Sequence, residues 1–291
     1  GSVFNSSFSV SFWVNLPEGQ PSGSGHSTTS NSNLFGYSDS VSGTNRFFCL
    51  IGRGGQSEAG KLRIYYKAGG GTQVQARTTS ALFSSGATGW VHVTITVEEA
   101  NHGIKVYKNG SVVSVDEADS TMSAVTMSNF SPSTGEFLVG ARTQPVSGGT
   151  NYYQVNADFD EFAIFNTALT SSQVSDVYNS GDAYDLDGHS NLEGWWRMGD
   201  GTENGSGTTV YDMSSNSSNA TLVNGAKYST PFPAPSSASI DLDGANDYLS
   251  TDLVTNTYGF KDGFTASLWI KLDDNSTTQD FFGRYGNGSA R

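Results

Sequence analysis

A nine-residue block occurs twice in the chain, as FSVSFWVNL at residues 8–16 and as FTASLWIKL at residues 264–272. In the first copy apolar side chains alternate with Ser, Ser, Trp and Asn, which is the two-residue period of a β-strand with one buried face. The copies lie near opposite ends of the 291-residue chain, much farther apart than the roughly 20–50 residues of a solenoid repeat. The duplication therefore predicts tandem β domains, with the chain holding parts of two of them.

The composition indicates a folded chain of many short strands joined by polar turns. Aromatic residues make up 12% of the sequence and charged residues 15%, and this aromatic content excludes a disordered chain. The net charge of −13 opposes binding to a phosphate backbone, so we expect no nucleic-acid partner. No run is long and apolar enough to cross a bilayer as a helix, and we expect no membrane insertion.

Cysteine and histidine offer little for catalysis or zinc binding. Cys49, the single cysteine, lies in the apolar run Arg46–Ile51 and is predicted to be a buried small side chain. A disulfide framework and a cysteine-based zinc site are therefore excluded. The histidines are dispersed and lack the spacing of metal ligands; they are His26, His92, His102 and His189.

Alternating and β-branched segments between polar turns predict further strands. Asn109-Gly110 lies between two such segments, and it predicts a tight hairpin because both residues tolerate positive φ. The other strands are predicted at Arg46–Gly52, Lys61–Lys67, Thr72–Arg77, Trp90–Glu98, Ile104–Lys108, Ser111–Val115, Glu136–Ala141 and Phe159–Phe165.

A single short helix is predicted near residues 170–179. Thr170 and Gln173 have the spacing of a capping box, in which each side chain accepts from the other residue's backbone N–H. Val174 and Val177 follow with helical spacing, and the Asn-Ser-Gly sequence after them ends the helix. Because strands far outnumber helices, a sandwich of two sheets is the economical architecture.

An ordered series of short motifs resembles the concanavalin A-like jelly rolls of the laminin G and pentraxin kind. Between residues 194 and 270 the series reads GWWRMGDG, TTVYDMS, NATLVNG, DGANDYL and FTASLWI. The later half of such a module occurs earlier in the chain, as FSVSFWVNL, GWVHVTI, VYKNGS, DFDEFAIFN and the short helix. The resemblance covers nearly the whole chain and implies an all-β jelly-roll sandwich for each module.

The order of these motifs predicts two incomplete modules. Residues 1–185 are predicted to form a laminin G-like module that lacks its N-terminal strands, and residues 192–291 the N-terminal part of a second one. In such modules the strand formed by SIDLDGANDYLS pairs beside the strand formed by DFDEFAIFN. Strand Phe159–Phe165 should therefore have an open edge, and open edges favour association. We expect the upstream chain or residues 239–250 to occupy it.

The resemblance also implies a structural Ca²⁺ site. Asp160 matches an aspartate that holds the ion in many relatives, together with backbone carbonyls from the front of the module. Asp158 lies on the same face of the strand by the two-residue period, and Asp200 belongs to the front segment. Asp158, Asp160 and Asp200 are the predicted metal ligands, since Ca²⁺ prefers oxygen ligands. The alternative is that these carboxylates only cap a sheet edge.

Exposed aromatic side chains are the predicted carbohydrate contacts, because their rings offer stacking platforms. The candidates are Tyr65, Tyr66, Tyr152 and Tyr153. Trp13, which recurs in the second copy of the block, is interpreted as a packing residue. His92 matches a position that is often histidine in these modules, where packing and a hydrogen bond account for it.

Catalysis is not expected, and no catalytic residue is assigned. Hydrolase relatives of these modules often carry E-x-D-x-x-E on one strand and use two carboxylates across a sheet. The sequence DFDE at residues 158–161 does not match that pattern. Neither a nucleophile elbow nor a phosphate loop occurs in the sequence.

The expected function is that of a non-enzymatic structural or recognition module in a large virion surface protein such as a tail fibre, with glycan binding as one expected role. The basis is that WWRMGDG, in a chain rich in serine and asparagine, resembles modules of bacteriophage virion proteins. The alternative is a bacterial extracellular adhesin or surface filament built of tandem lectin-like modules, and a glycoside hydrolase is a weaker alternative. Expected partners are a glycan or protein on a cell surface, neighbouring modules, or further copies of the chain. The expected location is extracellular, on a virion or a cell.

Overall fold

The structure is a computed structural model, and the residues it describes lie between Ser2 and Tyr228. The chain divides into two compact units, Gly1–Ala238 and Ser239–Arg291, and all described residues lie in the first. Within residues 2–228 the description leaves out residues 21–32, 40–42, 53–57, 101–102, 118–120, 133–135, 147–148, 199–204, 207, 225 and 227.

Short strands make up most of the described chain. In chain order they are β1 Phe8–Asn15, β2 Asn33–Ser38, β3 Arg46–Ile51, β4 Leu62–Lys67, β5 Gln73–Thr78, β6 Trp90–Val97, β7 Ile104–Lys108, β8 Ser111–Val113, β9 Val115–Glu117, β10 Leu138–Val139, β11 Ala141–Val146, β12 Gly149–Gln154, β13 Asp158–Phe165, β14 Leu192–Trp196, β15 Gly205–Ser206, β16 Thr209–Val210 and β17 Ala220–Thr221. The α-helix of the described residues is α1, Ser171–Tyr178.

Two six-stranded antiparallel sheets form a sandwich. The first sheet has the order β14-β13-β1-β6-β7-β8, and the second has the order β10-β2-β3-β4-β5-β9. Side chains from both sheets fill the space between them: Phe12 of β1 lies 5.8 Å from the ring of Phe35 in β2 and 5.5 Å from that of Phe162 in β13. The predicted all-β sandwich of two sheets is confirmed, while the tandem arrangement stays a prediction.

Strand β1 shows the alternation that its sequence predicts. Phe8, Phe12 and Leu16 point into the main core and are fully buried. Ser11 and Trp13 lie on the opposite face, which α1 covers through Val174, Val177 and Tyr178. The two faces of this one strand therefore belong to two different packed layers.

Both predicted local signals are confirmed. Asn109 and Gly110 have φ values of 49° and 73° and connect β7 to β8 in a two-residue hairpin. At α1, Thr170 Oγ1 accepts from the Gln173 backbone N–H, and Gln173 Oε1 accepts from the Thr170 N–H at 2.9 Å, which completes the capping box. The helix ends at Asn179 in the left-handed conformation.

The edge of the first sheet differs from the expectation. Strand β13 pairs with β1 on one side and, over Phe162–Phe165, with β14 on the other, so β14 occupies that part of the edge. Trp195 of β14 is buried against the second hydrophobic layer, together with Phe165. Residues 239–250 and the second copy of the block lie outside the described residues, and the two-module assignment at 185 and 192 stays a prediction.

Strand β14 also anchors the chain that follows it. Asp212 is buried, and its Oδ1 accepts from the Trp195 N–H at 2.9 Å and from the Ser214 N–H at 2.9 Å. Strands β15 to β17 form a small sheet of their own. No helix in the described part of the chain is long and apolar enough to span a bilayer.

Candidate ligand-binding face

The outer face of the second sheet carries an ordered array of polar and aromatic side chains. Strand alternation sends Phe47, Cys49, Ile64 and Tyr66 into the core, so the residues between them face outward. The cross-strand register groups the outward positions of β3, β4 and β5 into three rows. The rows are Arg46–Lys67–Gln73, Phe48–Tyr65–Gln75 and Leu50–Arg63–Arg77.

An aromatic pair lies in the middle row. The rings of Phe48 and Tyr65 stack with centroids 4.5 Å apart and planes 18° from parallel. The guanidinium of Arg142, from β11, lies 4.3 Å from the Phe48 ring centroid, a cation–π geometry. Arg142 Nε also donates to Asn33 Oδ1 at 2.9 Å, which fixes its position.

A glycine makes room for this arrangement. Gly36 pairs with Phe48 across β2 and β3. A Cβ at Gly36 would lie 2.6 Å from the Cβ atoms of both Phe48 and Arg142, far inside van der Waals contact. The absent side chain therefore lets Arg142 lie against Phe48, and any larger residue would displace one of them.

Cations surround the aromatic pair. Glu58 lies among three of them, with its carboxylate oxygens 3.9 Å from Lys61 Nζ, 3.6 Å from Arg63 Nη2 and 3.5 Å from Arg77 Nη1. Arg77 Nη2 also pairs with Asp116 at 2.9 Å. The lysines and arginines of the second sheet's outer face, called the cationic face below, are Arg46, Lys61, Arg63, Lys67, Arg77 and Arg142.

The cationic face holds most of the positive charge in the described part of the chain. The remaining described lysines and arginines are Lys105, Lys108 and Arg197, which lie on or beside the first sheet. Burial lowers the pKa of Arg46, and Asp39 acts in the opposite direction. The chain as a whole is acidic, with a net charge of −13. The positive charges of its described part are nevertheless concentrated on this one face.

The predicted ligand residues have different positions. Tyr65 is half-buried on the cationic face, beside Phe48. Tyr66 points the other way: it is fully buried in the core, its hydroxyl donates to the Phe4 carbonyl, and burial raises its pKa. Tyr66 is therefore removed from the candidate contacts. Tyr152 and Tyr153 lie in β12, and their side chains are not among those that the structure describes.

The predicted metal ligands are only partly described. Asp158 accepts from Asn15 Nδ2 at 3.0 Å, and the buried Asp160 accepts from the Glu161 N–H at 2.8 Å. Because Ca²⁺ takes six to eight oxygen ligands, backbone carbonyls, waters or a further carboxylate would have to complete a site at these two residues. Asp200 lies outside the described residues, and within those residues no group of three metal-binding side chains occurs. Calcium binding at this strand stays a prediction.

A buried cluster on the first sheet serves packing. Ser11 Oγ lies 2.9 Å from His92 Nε2, and the His92 ring contacts Trp13 and Tyr178. Burial lowers the pKa of His92 to about 3, so the ring is neutral at ordinary pH. The packing interpretation of Trp13 and His92 agrees with these contacts. Cys49 is fully buried, as predicted, and burial raises the pKa of its thiol.

The sequence contains a signal for the cationic face that the motif analysis missed. In KLRIYYK, residues 61–67, Lys61, Arg63, Tyr65 and Lys67 occupy alternate positions and so share one face of a strand. The same alternation assigns the other face, including Tyr66, to the core. Phe48 and Arg142 carry no comparable local signal, because their contacts depend on the pairing of distant strands.

Comparisons with known proteins relate the chain to one superfamily. A laminin G family model, described as the concanavalin A-like lectin/glucanases superfamily, matches residues 1–175. No curated protein sequence matches the chain.

Several solved structures are similar at low identity. A Bacteroides ovatus protein assigned to carbohydrate binding is 18% identical, with a TM-score of 0.47, over 76% of this chain and 55% of its own. A heptameric SAP-like pentraxin from Limulus polyphemus is 16% identical, with a TM-score of 0.39, over 59% and 69% of the two chains. The CBM40 of the Ruminococcus gnavus IT-sialidase, bound to α2,3-sialyllactose, is 11% identical, with a TM-score of 0.38, over 60% and 83%. No ligand is inferred from likenesses this distant.

Proposed function

Because the chain belongs to the concanavalin A-like lectin/glucanases superfamily, we propose that its sandwich is a non-catalytic recognition module that binds carbohydrate. The observation that carries this proposal is the Phe48–Tyr65 stack on the outer face of the second sheet. Tyr65 presents an aromatic ring whose position is fixed by Phe48, and the C–H face of a sugar ring packs on such a surface. The charged groups around it supply hydrogen bonds that orient a ligand.

The superfamily also contains glucanases, and the carboxylates of this face favour recognition over hydrolysis. A glycoside hydrolase needs two carboxyl groups free to act on the scissile bond, about 5–9.5 Å apart. Glu58 is shielded by Lys61, Arg63 and Arg77, and its side chain is only 11% exposed. Asp116 pairs with Arg77. Both carboxylates therefore serve to hold the cations of the face.

Titration of a panel of oligosaccharides into the purified chain tests the proposal. We expect binding of at least one glycan and a loss of at least tenfold in affinity for Tyr65→Ala, because the stacking platform is removed. Tyr184→Ala is the matched control, since Tyr184 is an exposed tyrosine outside this face. Binding that is indifferent to Tyr65, failure to bind any glycan, or release of reducing ends from a bound glycan would contradict the proposal.

We further propose that the module works outside the cell, on the surface of a virion in a tail fibre or similar component. The support is the resemblance of WWRMGDG at residues 195–201, in a chain rich in serine and asparagine, to modules of bacteriophage virion proteins. A bacterial surface adhesin made of the same modules is the alternative. Mass spectrometry of purified phage particles from the source, compared with its cell-surface fraction, separates the two, because each setting places the protein in only one sample.

A further inference from the structure

We propose that the ligand is an anionic saccharide, with a sugar ring on Tyr65 and a carboxylate or sulfate group at Lys67. This inference rests on the proposed function and specifies the class of ligand for the same face. Two observations support it. The cross-strand register brings like charges together on this face, and Lys67 is the cation of the face that has no partner among the described residues.

The register places like charges directly opposite each other in two rows. Arg46 pairs with Lys67, and Arg63 pairs with Arg77. Like charges in directly opposite positions destabilise a sheet unless an anion compensates them. The face therefore contains two pairs of opposed cations, each of which destabilises the sheet. The two rows differ in how the repulsion within the pair is compensated.

The Arg63–Arg77 row has a counterion within the protein. The Glu58 carboxylate lies 3.6 Å from Arg63 Nη2 and 3.5 Å from Arg77 Nη1. On this face, a carboxylate that contacts both cationic side chains therefore compensates the repulsion between them.

Lys67 has no such counterion within the described residues. Among them it makes neither an ion pair nor a hydrogen bond, and it is half-buried beside Arg46. Arg46 donates to Gln73 Oε1 at 3.1 Å and lies near Asp39, so its neighbour Lys67 is the cation left for a ligand. A carboxylate or sulfate brought by the ligand would take the place at Lys67 that Glu58 takes at Arg63.

The position of Lys67 relative to Tyr65 favours a saccharide over a simple ion. The two residues are two apart on one strand face, so their Cα atoms are about 6.5 Å apart. A pyranose lying on Tyr65 can extend an exocyclic acidic group across that distance. Arg63 flanks Tyr65 on the other side, so the ring is bracketed by cations along the strand.

The charge of the whole chain argues against a long polyanion such as nucleic acid. A long polyanion would extend past the cationic face and lie along the rest of a chain whose net charge is −13. Charges interact within about 8 Å at physiological salt, so that contact would be repulsive. A short acidic saccharide reaches the cations without a large interaction with the rest of the chain.

The test uses pairs of glycans that differ only in charge. A sulfated maltooligosaccharide is compared with its unsulfated parent, and an oligogalacturonate with its methyl ester, by titration into the full chain at low and physiological salt. We expect each acidic form to bind at least tenfold more tightly than its neutral partner, with affinity falling as salt rises. Lys67→Gln should reduce that affinity at least fivefold, and Lys67→Arg should retain most of it.

Lys105→Gln is the matched control, because Lys105 is half-exposed on the first sheet, paired with Glu98. This variant should bind as the unmodified chain does, and circular dichroism should show all variants folded. A second variant, Glu58→Gln, removes the internal counterion and should strengthen binding of the acidic glycans.

Four results would overturn the inference. Equal binding of charged and neutral glycans, unchanged by Lys67→Gln, would reject it while leaving the proposed function intact; no binding of any glycan would reject both. Equal binding of an oligoglutamate and the sulfated oligosaccharide would show that only charge is recognised. Sedimentation showing a dimer that Lys67→Gln dissociates, without glycan binding, would identify an acidic second copy as the occupant.

Discussion

At the residue scale, Glu161 has a backbone that few glutamates adopt. Its φ is 47° and its side chain is buried, and it lies where the register between β1 and β13 shifts. Such a conformation costs on the order of 1–3 kcal/mol. Its carboxylate accepts from Trp195 Nε1 at 2.6 Å and from Arg197 Nε at 3.1 Å. These charge-assisted contacts offset the strain and tie β14 to the bulge.

His92 makes stability depend on pH in a defined window. Burial lowers its pKa to about 3, below the usual 6.5, so the unfolded chain binds a proton that the folded chain does not. Stability is therefore fully present above pH 6.5 and falls as the pH drops through that value towards 3. Between pH 6.5 and 5 the loss is about 2 kcal/mol, at 1.36 kcal/mol for each pH unit.

Urea unfolding at pH 7, 6 and 5 measures this effect. His92→Gln keeps a polar group opposite Ser11 and does not titrate, so its free energy of unfolding should fall by about 2 kcal/mol less than that of the unmodified chain over the same range. Parallel curves for the two proteins would show that the His92 ring is not held neutral.

The predicted calcium site is tested at Asp160. If Asp158, Asp160 and Asp200 bind Ca²⁺, then millimolar Ca²⁺ should raise the melting temperature of the chain by several degrees relative to EDTA, because the ion binds only the folded state. Asp160→Asn keeps the shape and the hydrogen bond from the Glu161 N–H but removes the charge, and should abolish the rise. No shift in the unmodified chain, or the same shift with Mg²⁺, would contradict a calcium site.

At the scale of the element, the capping box of α1 stabilises a packing layer that includes residues distant in the sequence. Its capping box starts the helix, and Val174 and Val177 then cover the outer face of the first sheet. Thr170→Ala should lower the free energy of unfolding by about 1 kcal/mol, because one side-chain acceptor at the helix start is lost. Urea titration measures it, with Thr170→Ser as the control that restores the hydroxyl. Equal stabilities for the Ala and Ser variants would exclude a role for the cap.

Some helices, strands and turns could be predicted from local sequence, and others could not. The alternation of β1, the Asn109-Gly110 turn and the capping box at Thr170 are complete within a few residues, and all were predictable. The occupant of the edge beside β13 was not, because edge pairing joins residues nearly 30 positions apart and several segments of the chain have strand character. The hairpin β11–β12 was missed for a similar reason: its register is set by pairing, and Pro145 in β11 reads as a strand breaker.

The candidate site, too, could be predicted from local sequence only in part. Tyr65 was predicted, but so was Tyr66, since a motif search treats neighbouring aromatics alike. Only the alternation of Arg63 and Lys67 around them decides which ring faces outward. The stack of Arg142 on Phe48 depends on β11 approaching β2, a contact between segments about 100 residues apart, and no local pattern encodes it.

At the scale of the whole molecule, the sandwich includes β14, a segment that the motif order assigned to a second module. A chain ending at residue 191 would leave β13 with an open edge and remove Trp195 from its layer. We expect such a fragment to be at least 3 kcal/mol less stable than one ending at residue 228, since a buried tryptophan is lost, and to self-associate through the open edge. Urea unfolding and sedimentation measure both. Equal stability and a monomeric short fragment would show that β14 is dispensable.

The position of β14 also determines how the sandwich would bear a pulling force. Strands β1 and β14 are both antiparallel to β13 and flank it, so they run in the same direction. A load applied between the chain before Phe8 and the chain after Trp196 acts along these strands in opposite senses. The two hydrogen-bonded ladders on β13 are then loaded in shear, and their bonds share the force instead of opening one after another. A module connected through these two segments would transmit tension along its first sheet and leave the cationic face of the second sheet outside the line of force.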